Sequence, residues 1–69
     1  MPDFLVSFEG RSAFSRTTHR LYNYTRDQAI EQAKKIGNEK DYRTIYISYM
    51  GSSATVGYWV KKGSRWYKV

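Results

Sequence analysis

Phe4, Val6 and Phe8 alternate with Leu5, Ser7 and Glu9, a period of two that predicts a first strand with one face turned inward. Gly10-Arg11-Ser12 supplies residues able to turn that strand back. The stretch from Ser15 to Tyr24, rich in Thr and Tyr, reads as a second strand and the more exposed of the pair. The period then lengthens. Ala29, Ile30, Ala33 and Ile36 share one stripe at helical spacing, and burying them contributes about 5 kcal/mol at most. Thr25-Arg26-Asp27-Gln28 has the form of a capping box, in which the Thr hydroxyl and the Gln amide satisfy orphan backbone donors. Gly37 is the residue expected to turn left-handed and stop the helix. Lys34 and Lys35 are expected in the last turn, opposing the negative end of the macrodipole, with Glu31 four residues before Lys35.

Alternation returns after the helix. From Arg43 to Met50, Ile45, Ile47 and Tyr49 lie on one side, and Gly51-Ser52-Ser53 forms a turn. Thr55 to Lys61 reads as a strand with Val56, Tyr58 and Val60 on one face and Trp59 on the other. Lys62-Gly63 makes a tight hairpin into Arg65–Val69. The order ββαβββ predicts an α+β fold: one domain over residues 1–69, a single five-stranded antiparallel sheet with one helix packed on one face. A domain of 69 residues buries only ~60% of its unfolded surface, so each large apolar side chain counts. Phe4, Phe8, Tyr49 and Tyr58 are the expected aromatic core. Strand alternation prevents Trp59, Trp66, Tyr46 and Tyr67 from all joining them, so Trp59 and Tyr46 are expected as exposed rings on the helix-free face.

Charge sharpens this picture. The net charge is +6, and from Tyr42 to Val69 there is no acidic side chain, while five bases and seven aromatics interleave. Such a stretch projects a positive potential and offers rings for stacking, which points to an anionic partner: nucleic acid, phosphate or an acidic protein face. The alternative reading is that the charge serves solubility alone. The bases fall in groups: Lys34 and Lys35 on the helix, Lys61, Lys62 and Arg65 around the final hairpin, and Arg16 and Arg20 on one face of the second strand. With Trp59 these are the candidate partner-binding residues.

Catalytic readings have little to stand on. There is no cysteine, and His19, the one imidazole, lies on a Thr- and Arg-rich strand where it is expected to be exposed. Asp27 and Glu31 read as solvated helix charges, and Gly51-Ser52-Ser53 lacks phosphate-loop spacing. No enzyme activity, metal or cofactor is expected. No stretch reaches the ~20 apolar residues of a membrane span, and the start lacks signal-peptide character, so a cytoplasmic protein without a membrane partner is expected. A monomer is expected, the Thr-rich second strand being the edge at which two copies would pair.

Two short motifs add a resemblance. Gln32-Ala33-Lys34-Lys35-Ile36 at the helix end and Gly63-Ser64-Arg65-Trp66 in the last hairpin, at this separation and with this element order, resemble the ninth family of type I-F anti-CRISPR proteins. The resemblance implies a phage-encoded inhibitor acting in the bacterial cytoplasm. It would bind backbone subunits of a CRISPR surveillance complex where target DNA would lie. It carries Lys34, Lys35 and Arg65 over as contact residues. The chain departs from the family pattern at Glu39, where the family has a base, and at Asp41, where it has a polar contact; the turn after the third strand is also about two residues longer. Direct contact with DNA or RNA through the same bases, or binding to an acidic host protein, are the alternatives that composition leaves open.

Overall fold

The computed structural model describes residues 3–10 and 16–69, and its five strands form one sheet. The elements are β1 (Phe4–Glu9), β2 (Arg16–Leu21), α1 (Arg26–Glu39), β3 (Thr44–Tyr49), β4 (Thr55–Lys62) and β5 (Arg65–Lys68). Their order across the sheet is β2-β1-β3-β4-β5, with every neighbouring pair antiparallel. The expected α+β architecture and the ββαβββ order are therefore observed. The turn expected at Gly10–Ser12 falls largely outside the described residues.

The alternation in β1 explains why that strand is central. Phe4, Val6 and Phe8 are buried on the helix side, and β1 pairs with β2 on one edge and β3 on the other. The Thr- and Arg-rich β2 takes an edge, where exposed polar side chains cost nothing. It is shorter than expected: after Leu21 the chain reaches Asn23, whose φ of 60° leaves the strand region, and whose amide donates to Asp3 Oδ1 at 3.0 Å. His19 is half-buried on the helix side, its ring edge-on to Phe8 at 5.2 Å, rather than exposed as expected.

The capping box forms as anticipated. Gln28 N–H donates to Thr25 Oγ1, and Thr25 N–H donates to Gln28 Oε1, each at 3.1 Å. Along the helix, Ala29, Ala33 and Gly37 are buried at intervals of four, so the smallest side chains face the sheet and let the backbone come close. Ile30 and Ile36 flank them, half-buried against the core. Gly37 does not end the helix. The helix runs on to Glu39, Lys40 N–H donates to the Ile36 carbonyl at 3.0 Å, and the left-handed residue is Asp41 at φ 55°. This extension leaves the last turn without a base, so Lys34 and Lys35 do not offset the macrodipole as expected.

The second correction concerns β4. Ile47 pairs with Gly57 and Ser48 with Thr55, which leaves Val56 as an extra residue in a bulge. One extra residue inverts the inward–outward phase. Val56 and Trp59 both become buried, whereas Tyr58, expected in the core, is 38% exposed. Trp59 is 5% exposed and belongs to the core, not to the helix-free face. Tyr49 is half-buried on the helix side, its ring 5.0 Å from that of Phe4.

Candidate functional site

The final hairpin is fastened to the helix end by a tryptophan. Gly63 takes φ 64° in the turn between Lys62 and Arg65, a conformation glycine adopts without steric cost, and the returning strand places Trp66 opposite Lys61. Trp66 faces α1, where a Cβ at Gly37 would come within 2.7 Å of its ring. Its indole N–H donates to Asn38 Oδ1 at 3.0 Å. Gly37 thus serves as the contact at which helix and β5 meet.

This clamp determines which bases gather. Lys61 Nζ sits 5.7 Å from the centroid of Trp66, and Lys68 Nζ sits 5.9 Å from that of Trp59. Ammonium groups over indole rings gain ~0.5–1 kcal/mol at exposed sites while their methylene stems cover the ring. Lys34 lies one turn before Asn38 and three residues before Gly37, on the flank of α1 that faces the hairpin, and it is half-buried. Lys35, about 100° further round the helix, takes the other direction. It lines an open cleft shared with Asp27 and Glu31, two acids that dilute its field.

The helix-free face carries a different set. Tyr46, Tyr58 and Tyr67 are 40%, 38% and 49% exposed. Tyr46 and Tyr58 face each other across β3 and β4 with ring centroids 6.3 Å apart at an interplanar angle of 63°. Beyond them, Lys62 and Arg65 pair across the hairpin, both exposed and without an ion pair among the described residues. At the other edge Arg16 binds Glu9, with Nη2 2.9 Å from Oε1. Arg20 is also exposed, but at the end of β2 remote from Arg16, where it is paired with Leu5.

The eight residues expected to bind a partner therefore occupy distinct places. Lys61 lies over Trp66 on the helix side, Lys34 sits one helical turn before the Asn38 that Trp66 binds, and Lys62 and Arg65 share the same hairpin but face away from the helix. Arg16 and Arg20 lie at the opposite sheet edge, and Lys35 points off the outer helix surface. Trp59 is withdrawn into the core, and Tyr58 takes the position beside Tyr46 that Trp59 was expected to fill. Sequence reasoning missed Tyr58 as a surface ring, as well as the pairing of Trp66 with Asn38. A glycine in the middle of a helical stripe was the available signal for the second, since it marks a close approach.

Among the described residues, no group of three or more His, Cys, Asp or Glu side chains is placed to hold a metal ion. Among the described residues, no helix is long and apolar enough to cross a membrane. Comparison with protein-family models, with curated proteins and with solved structures finds no match to this chain.

Proposed function

We propose that this protein is a non-catalytic, phage-encoded inhibitor that binds a backbone subunit of a CRISPR surveillance complex and blocks target-DNA binding. The observation that carries the reading is the Trp66 clamp. By tying Asn38 to the hairpin at 3.0 Å, it holds both motifs that resemble the anti-CRISPR family at one end of the molecule. Lys61 lies over Trp66 on the helix side, Lys34 sits one helical turn before Asn38, and Arg65 lies on the reverse face of the same ribbon.

A groove built to hold nucleic acid presents donors and apolar ledges at fixed positions. A rigid basic wedge can occupy it through charge-assisted hydrogen bonds, with few anchors dominating the affinity. Rigidity matters because ordering long side chains costs about 0.5–1.5 kcal/mol each on binding, and stems already packed on an indole lose less. Lys35 contributes less than Lys34 in this reading, because Asp27 and Glu31 share its cleft. Glu39 and Asp41 shift the contact away from the helix terminus and toward the hairpin.

The test mixes the protein with purified surveillance complexes, type I-F among them, and measures co-elution and target-DNA affinity. Co-elution with loss of DNA binding is expected, and Lys34→Glu with Lys61→Glu is expected to weaken both at least tenfold. Circular dichroism should show the double variant folded, since both lysines are only half-buried and losing the Lys61–Trp66 contact costs about 0.5–1 kcal/mol. No co-elution with any complex, and unchanged DNA affinity, would overturn the proposal.

A further inference from the structure

The helix-free face carries a second and separate opportunity. Its central row runs Thr18, Ser7, Tyr46 and Tyr58 across β2, β1, β3 and β4 in direct register. These four, with Glu9 and Arg16, line a groove of about 350 Å³, within the ~300–1,000 Å³ range of small-ligand clefts. Tyr46 and Tyr58 line it from β3 and β4, Ser7 and Thr18 from β1 and β2, and the Arg16–Glu9 ion pair lies two residues along those last two strands. Glu9 is the acid this groove contains, and Arg16 neutralises it at 2.9 Å. Beyond the rings, Tyr67 extends the aromatic surface toward Lys62 and Arg65.

We infer that this face binds single-stranded nucleic acid, with a base inserted in the groove against Tyr46 and Tyr58 and the backbone running toward Lys62 and Arg65. The charge pattern selects a polyanion, and the rings select one whose bases are unstacked. Stacking on an aromatic side chain is sequence-tolerant and requires a free base face, which a duplex does not present. Ser7 and Thr18 hydroxyls can each donate and accept, so they suit the edge of any base. The site uses none of the helix-side contacts of Lys34 or Lys61, and shares only Arg65 with the surface proposed for complex binding.

The test is fluorescence anisotropy of the isolated full chain with labelled oligothymidine, oligouridine and a DNA duplex of equal length. Either single strand should bind more tightly than the duplex, and comparison of the first two identifies the preferred sugar. The log–log salt slope is expected at about −1.4 to −2.1, corresponding to two or three phosphates. Tyr58→Ala and Tyr46→Ala should each weaken single-strand binding roughly tenfold, whereas Tyr58→Phe, which keeps the stacking face, should retain it. Lys62→Ala with Arg65→Ala should flatten the slope by about 1.4. Duplex binding equal to single-strand binding, or affinity unmoved by either alanine variant in a folded protein, would overturn the inference. No CRISPR complex is present in this assay, so its failure is distinguishable from failure of the inhibitor reading.

Discussion

The two faces of this one sheet carry similar residues and use them in opposite ways. On the helix side, Phe4, Phe8 and Trp59 are buried, Trp66 is half covered by α1, and lysine ammoniums lie near the two indole rings. On the other side, Tyr46, Tyr58 and Tyr67 stand open with four arginines and lysines around them. The difference follows from polarity. Phenylalanine has no group to satisfy, and the Trp66 indole finds Asn38, whereas a tyrosine hydroxyl on an uncovered face remains hydrated. Tyr42 supports the rule from within: on the helix side, it stacks on Phe8 at 5.0 Å, and its hydroxyl donates to Thr17 Oγ1 at 3.0 Å. Covered rings stabilise the fold, and uncovered rings are available to a partner.

Neighbouring residues 58 and 59 offer the strongest way to break that comparison. Trp59→Ala should cost about 3–5 kcal/mol and leave so small a domain largely unfolded at ordinary temperature. Tyr58→Ala, one residue away, should cost only about 1 kcal/mol, the loss of its cross-strand ring pair with Tyr46. Urea titrations of both variants decide the matter, and equal losses would mean that the bulge at Val56 does not set the phase of β4. Gly57→Ala is expected next in size. Its Cβ would stand 2.9 Å from the buried Trp59 ring and 3.1 Å from Lys68 Cε, so overpacking should cost about 1–3 kcal/mol in the same titration.

The clamp between helix and hairpin yields a smaller effect. Asn38→Ala removes the acceptor of the Trp66 indole and should cost about 1 kcal/mol, lowering the melting midpoint by roughly 4–8 °C. If the proposed function holds, it should also weaken binding to a surveillance complex, because the hairpin bases would lose their fixed position relative to the helix end. Wild-type affinity in that variant would separate the clamp from recognition.

Much of the fold was legible because it rests on local rules. The alternation in Phe4–Glu9 marked a half-buried strand, Thr25 with Gln28 marked the start of a helix, and Lys62-Gly63 marked a hairpin. Each signal is contained within a few residues and needs no knowledge of a distant partner. The site was less legible. The basic groups were visible along the chain, but their division between two faces depends on which strands become neighbours.

What the sequence determined by itself was the element order, the helix cap, the apolar set and an excess of positive charge. Tertiary structure decided the rest: that Val56 is accommodated as an extra residue, exchanging Trp59 for Tyr58 on the surface, and that Gly37 meets an indole instead of ending a helix. The reason is physical. Local conformational preference acts on adjacent residues, whereas pairing register and close packing are relations between segments whose partners only folding brings together.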